Sequence, residues 1–303
     1  MTKQSLPFLL ILVLTSSACS VRRFAVNKIG DALAQGGSTY ESDDDVELVR
    51  GALPFGLKLI ESLLAESPRH KGLLLAASQG FTSYAFIDAQ QTLDVIALTD
   101  LDAAERIKAR VRRLYVRGHD YGMTALELSH PGFRQRMETE PRLAVKTLRK
   151  NEVPLIYWTA AGLGAAIAAS KDDVAMLARI PEVEALLDRA LELDPDWNSG
   201  ALHEFWIVLA SAKPGKVDTQ KVTTHFTRAL ELSQAKRATL FVTFAETVSV
   251  PQQNREEFRQ FIDKALAINP DSTKEIRLLN LVAQRRARWL LERIDDLILG
   301  GNQ

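Results

Sequence analysis

Apolar residues recur at helical spacing along most of the chain, and several of these runs end in the same short phrase. The phrase Ala-Leu-Glu-Leu-Asp-Pro spans residues 190–195, and related versions stand at 265–270, at 63–68 and, without the proline, at 229–233. A proline just past a helix cannot continue it and pushes the preceding residue out of the helical region. Each copy therefore predicts a helix end, and the repetition predicts stacked helix pairs.

The whole pattern predicts an all-α protein of irregular tetratricopeptide-like repeats, stacked into one domain and closed by a long C-terminal helix at 272–299. Trp206 and Ala229 fall at offsets typical of such repeats. Continuous helices are predicted over 46–66, with a kink or restart at Pro54, and over 71–97. The glycines of 118–122 predict a break in the following helix. The uncharged run 153–169 predicts a buried central helix, because it is too rich in alanine and glycine to be read as a membrane span.

The first residues have the pattern of a targeting segment. Lys3 precedes about nine apolar residues, Leu6 to Leu14, which are too few to span a bilayer. Small residues then lead to Cys19, the only cysteine in the chain. This position resembles a bacterial lipoprotein cleavage site, which predicts lipidation of Cys19; the alternative is ordinary signal-peptidase cleavage beside an incidental cysteine. The predicted organisation is a signal peptide at 1–18, a lipid-anchored tether at 19–45 and a helical-repeat domain at 46–303.

Composition and motifs argue against nucleic-acid binding, metal binding and catalysis as functions of this protein. The chain carries 38 basic and 38 acidic residues, so its charge predicts no nucleic-acid partner. Asp43 to Asp45 are interpreted as a helix cap, since they lack the glycine and glutamate of a calcium loop. The histidines are scattered, and no phosphate loop, nucleophile elbow or metal-ligand spacing is found, so no cofactor, metal or catalytic residue is predicted. An enzyme using His119, Asp120 and His203 is kept as a minor alternative.

Taken together, several segments resemble the TRAP transporter TatT component family. They are Gly51–Phe55, Gly72–Ala77, Tyr157-Trp158, Pro181–Leu187, Ala190–Pro195 and, most specifically, the C-terminal run Leu278–Leu291. The resemblance implies a periplasmic lipoprotein with cryptic tetratricopeptide-like repeats and without enzymatic activity. Ser20, which follows the cysteine, favours the inner leaflet of the outer membrane of a Gram-negative bacterium by resemblance to other lipoproteins.

The resemblance also implies partners. These are the extracytoplasmic solute-binding protein of a tripartite ATP-independent periplasmic (TRAP) transporter and further copies of the chain, as a homotrimer around a pore or ligand channel. The scaffold would hold or pass a small apolar or organic-acid solute. Aromatic residues are candidates to line the site, with membership of the core as the alternative: Tyr84, Phe86, Tyr157, Trp158, Trp206 and Phe241. The alternative function is a generic repeat-protein adaptor in envelope assembly or peptide binding.

Overall fold

The computed structural model describes residues 26–33 and 37–299, and no residue in these two ranges lies in a β-strand. The prediction of an all-α protein is confirmed, and the helices pack as one domain. The predicted signal peptide and Cys19 lie outside the described residues. Within the predicted tether, residues 26–33 and Gly37–Glu41 are helical. The principal helices are α1 (Val46–Glu66), α2 (Lys71–Tyr84), α3 (Gln91–Ile96), α4 (Leu101–Ser129), α5 (Phe133–Thr139), α6 (Val153–Ala168), α7 (Ile180–Leu193), α8 (Ala201–Ala212), α9 (Thr219–Leu232), α10 (Ala238–Phe244), α11 (Arg255–Ala267) and α12 (Arg277–Glu292).

The helix ends follow the local chemistry of the sequence. Asp45 caps α1 by accepting hydrogen bonds from the backbone N–H groups of Glu47 and Leu48, both at 3.0 Å. Asp100 caps α4 in the same manner, with Ala103 as the donor at 2.8 Å. These side chains satisfy N–H groups that have no partner within the helix. The repeated phrase marks helix ends as predicted: α1, α7, α9 and α11 all stop within it.

The predicted break at residues 118–122 is wrong, because α4 runs through them without interruption. The glycines serve helix contact instead. A β-carbon on Gly118 would lie 2.5 Å from Oγ1 of Thr82 on α2, and one on Gly162 of α6 would lie 2.9 Å from the backbone nitrogen of His119. Three helices therefore cross at backbone distance, which explains why α6 is rich in small residues.

Two helices contain a π-helical segment, in which each turn holds an extra residue. The helix predicted over 71–97 is continuous, but Ala85–Gln90 between α2 and α3 is π-helical. Likewise α10 passes directly into the π-helical segment Ala245–Ser249. The two segments present carboxylates, Asp94 just after the first and Glu246 within the second, to one arginine of α12 that is described below.

Short turns set two helix boundaries in the C-terminal half. The helix α8 begins only at Ala201, because Asn198, Ser199 and Gly200 have positive φ values. A β-carbon on Gly200 would lie 2.9 Å from Cα of Ala229, so this turn lets α8 and α9 approach closely. The predicted long helix at 272–299 is also interrupted: short 3₁₀ turns precede α12, and Ile294–Leu297 forms a separate turn after it.

The last helix packs against the first as well as against its neighbours in sequence. It contacts α10 and α11, while Leu278 and Val282 on its other side join a buried cluster with Val46 and Val49 of α1. Ion pairs reinforce this contact, with Arg277 to Asp44 at 2.9 Å and Arg285 to Glu47. The helical stack thus returns to its own beginning.

Candidate functional site

A cavity of about 300 Å³ opens between α7, α8 and the loop that joins α8 to α9. Leu187 and Leu209, which are almost fully buried, form its apolar wall. Trp206 lies beside them, and charged side chains surround the opening. The residues at the cavity are Arg142, Glu184, Leu187, Asp188, Trp206, Leu209, Ala210, Lys213, Pro214, Lys216, Val217, Asp218 and Lys221.

Helical spacing explains why these residues meet. Glu184, Leu187 and Asp188 stand three and four residues apart on α7, so they share one face. On α8 the same spacing aligns Trp206 with Leu209. The connecting loop turns at Gly215, whose φ of +101° is available to glycine at little cost.

The charges at the opening are partly compensated. Lys213 forms an ion pair of 2.5 Å with Glu184. Burial raises the pKa of Asp188, and the negative charge of Glu184 raises it further. Arg142 and Lys216 are exposed and form no ion pair within the described part of the chain. The charge of Arg142 acts on Asp188, which also borders the cavity. The cavity therefore combines an apolar wall with two cationic groups that form no ion pair within the described residues, an arrangement suited to an apolar group beside a carboxylate.

A pair of histidines supports the tryptophan from behind. Trp206 stacks on His225, with ring centroids 4.1 Å apart and planes 7° apart. Nδ1 of His225 lies 2.9 Å from Nδ1 of His203, so one ring donates and the other accepts. Burial lowers the pKa of both histidines, that of His225 to about 4 with a further contribution from His203. Both rings are therefore neutral near pH 7.

Among the predicted lining residues, Trp206 borders this cavity and the other five lie elsewhere. Tyr157 packs edge-on against Trp158 with a centroid distance of 5.0 Å, and burial raises its pKa to about 12. Phe241 is buried and Tyr84 nearly so, whereas Phe86 is 40% exposed. Their role in lining a channel stays a prediction.

A second group of charged residues connects distant parts of the chain. The guanidinium of Arg286 on α12 binds Asp94 at 2.5 Å and Glu246 at 2.7 Å, and it lies 4.4 Å from the ring centre of Trp289. Burial raises the pKa of Asp94, and the charge of Glu246 acts in the same direction. We call Arg286, Asp94 and Glu246 the arginine clasp. In the sequence, Arg286 is 192 residues from Asp94 and 40 residues from Glu246, so no local sequence signal identifies the clasp.

The residues of the enzyme alternative have structural partners. Nδ1 of His119 lies 2.9 Å from the carbonyl oxygen of Thr159, and its Nε2 lies 3.0 Å from Nη2 of Arg179. The carbonyl requires a proton on Nδ1, so Nε2 accepts from the arginine. Burial lowers the pKa of His119 to about 3. Asp120 binds Arg134 at 3.5 Å, and His203 binds His225 as described above.

Residues 26–33 and 37–299 contain no group of three or more His, Cys, Asp or Glu side chains placed to hold a metal ion. None of their helices has both the length and the apolar character that crossing a membrane requires.

The fold and the cavity define an all-α protein of helices packed in one domain around an amphipathic cavity. Comparison with known proteins identifies the family. The sequence profile of the TRAP transporter T-component family matches residues 42–298, and the chain belongs to this family. It is also similar to an uncharacterised protein of Treponema pallidum (strain Nichols), with 28% identity over 306 residues that cover 94% of this chain and 95% of that protein. The family is one of transporter accessory components, not an enzyme family.

Proposed function

We propose that this T-component is a periplasm-facing lipoprotein that docks the extracytoplasmic solute-binding protein of its TRAP transporter. Family membership supports the association with a TRAP transporter. The anchor in this proposal is a lipid on Cys19 that holds the chain to the inner leaflet of the outer membrane. The docking surface in this proposal is the opening of the cavity between α7, α8 and the α8–α9 loop.

The single observation that carries the docking proposal is the pairing of an apolar wall with unpaired cations at this opening. An apolar side chain of the partner would enter the cavity beside Trp206, and its own apolar surface would leave the water; Leu187 and Leu209 are almost fully buried already and serve as the wall it packs against. A carboxylate beside it would approach Arg142 and Lys216 without first breaking an ion pair of the described residues, and it would compete with Asp188 for the charge of Arg142. Steering by these charges would raise the association rate and make it sensitive to salt.

Binding between the purified chain and a TRAP solute-binding protein of the same organism tests this proposal. We expect a complex whose dissociation constant rises about tenfold or more when Arg142→Glu and Lys216→Glu are combined, since two favourable charges become unfavourable. Arg259→Glu is the matched control, because Arg259 is exposed on α11 and lies outside the cavity. Failure to bind the solute-binding protein would overturn the docking proposal and favour the generic adaptor. Equal losses in all variants would overturn the assignment of the surface.

We also propose that the cavity holds a small apolar or organic-acid solute. Its volume of about 300 Å³ lies at the lower end of small-molecule sites. Titration with candidate organic acids, followed by tryptophan fluorescence, should show a change that Trp206→Phe removes. A signal unchanged by that variant would place the solute elsewhere.

The oligomer in this proposal is a homotrimer, as the family resemblance implies. Size-exclusion chromatography with multi-angle light scattering measures its mass directly. A mass of one chain at micromolar concentration would refute the trimer without affecting the docking experiment.

A further inference from the structure

The first long helix is apolar on two opposite faces. Its inner face buries Val49, Leu53 and Leu57 in the core. On the outer face Leu48 is 62% exposed, Phe55 is 74% exposed and Leu59 is 37% exposed. A surface helix ordinarily needs one apolar stripe facing the core, so the second one indicates contact with something outside the chain.

The outer residues form a continuous band along the helix. Positions 48, 55 and 59 differ by seven and four residues, which places them on one side. Gly51 and Ala52 fill the space between them and carry no charge. Tyr40 lies alongside, because a β-carbon on Gly56 would be 3.2 Å from its hydroxyl oxygen. We call Tyr40, Leu48, Phe55 and Leu59 the apolar stripe.

Two charged residues on the other side of α1 bind other parts of the protein. Arg50 binds Asp88 at 2.8 Å. Glu61 binds Arg117 and accepts a hydrogen bond of 2.6 Å from the hydroxyl of Tyr121. These contacts hold α1 with its apolar stripe outward, so the exposure follows from the fold.

The stripe lies on the helix to which the N-terminal segment is attached. Helix 26–33 is held at the turn after α1, where Oγ of Ser67 donates to the side chain of Asn27 at 2.8 Å. His70 in the same turn contacts Asp31 at 3.3 Å. Six residues lie between Cys19 and residue 26, and the seven steps that join these two residues span at most about 25 Å in an extended chain. A lipid on Cys19 therefore keeps this end of α1 close to the bilayer.

We propose that the apolar stripe rests on the bilayer surface and sets the orientation of the domain on the membrane. This inference rests on the lipid anchor of the proposed function. The stripe exposes about 400 Å², taking roughly 200 Å² for a fully exposed large apolar side chain, which is well below the ~800 Å² per partner of a stable protein interface. A tyrosine at the edge and the 70% exposed Lys58 beside it suit the boundary between headgroups and acyl chains.

Site-specific fluorescence on the lipidated chain tests the orientation. Lipidation consumes the thiol of the only native cysteine, so Phe55→Cys supplies a unique site for an environment-sensitive label. Leu143→Cys is the matched control, since Leu143 is 55% exposed and lies outside the stripe. On vesicles of phosphatidylethanolamine and phosphatidylglycerol, the label at 55 should shift to the blue and be quenched by lipids carrying nitroxides near the headgroup. The label at 143 should remain water-like, and equal signals at both positions would overturn the inference.

A second measurement does not depend on the lipid. The Cys19→Ser chain should bind the same vesicles weakly, and Leu48→Ser with Phe55→Ser should lower its partition coefficient about tenfold or more, because two large apolar groups are lost. Leu143→Ser should leave it unchanged. If mass spectrometry found no lipid on Cys19 but binding still depended on the stripe, the proposed anchor would be refuted while the contact between the stripe and the bilayer would be supported. Stripe variants that change the oligomer mass but not vesicle binding would assign the stripe to a second copy instead.

Discussion

Replacing Gly162 with alanine tests the close crossing of α4 and α6. Two effects of opposite sign compete. Alanine in a helix interior is favoured over glycine by about 1 kcal/mol. Against this, the new β-carbon would lie 2.9 Å from both the backbone nitrogen of His119 and the backbone oxygen of Tyr115. Backbone atoms cannot rotate away, so the helices must separate along a buried contact.

The magnitude follows from the cost of overpacking, which is typically about 1–3 kcal/mol for side-chain contacts and larger where the backbone must move. We therefore expect a net loss of about 1–3 kcal/mol after the propensity gain, and a melting temperature lower by about 3–8 °C. Gly51→Ala is the matched control, because nothing lies within 4 Å of its β-carbon position on α1. That variant should gain about 0.5–1 kcal/mol.

Urea and thermal unfolding of both variants, followed by circular dichroism, give the comparison. The midpoint should fall for Gly162→Ala and rise for Gly51→Ala relative to the unmodified chain. If Gly162→Ala raised the midpoint as much as the control, the close crossing of the two helices would be refuted.

Two further predictions concern buried charges. Arg286→Met should lower the free energy of unfolding by about 2–3 kcal/mol, because Asp94 and Glu246 are left unpaired; this value is already reduced for their partial exposure. Urea unfolding should show that stability recovers when Asp94→Asn and Glu246→Gln are added. An equal loss in this triple variant would contradict the clasp. His119 has a pKa of about 3 when folded, against about 6.5 when unfolded, so its contribution is complete above pH 6.5 and is lost as the pH falls towards 3. His119→Gln should therefore reduce the change in unfolding free energy across that pH window by up to about 5 kcal/mol, and unfolding curves superimposed on those of the unmodified chain would contradict it.

The sequence predicted helix positions well where the signal is local. Asp45 caps α1, as the acidic run at residues 43–45 predicts, because a capping side chain acts within its own turn. The repeated phrase marked helix ends for the same reason. Gly118 was misread, because a glycine that breaks a helix and one that admits a neighbouring helix look alike in one dimension.

The candidate site could be predicted from the sequence only in small part, because its contacts depend on how the helices pack. Trp206 was selected as an aromatic at helical spacing, but its stacking on His225 depends on how α8 and α9 pair. The cations of the cavity opening come from three separate segments, which only the fold brings together. The arginine clasp is the extreme case, since Arg286 meets Asp94 across most of the chain.

The contact between α12 and α1 limits the gain or loss of helix pairs during the evolution of this protein. In an open solenoid each repeat touches only its neighbours, so a repeat can be gained or lost at modest cost. Here a change in the number of helix pairs would move Leu278 and Val282 away from Val46 and Val49, and would separate Arg277 from Asp44. Insertion or deletion of a whole helix pair therefore breaks the apolar contact and the ion pair between α12 and the start of α1 together. We expect variation among members of this family to accumulate in loops such as 213–218, while the number of helices between α1 and α12 stays fixed.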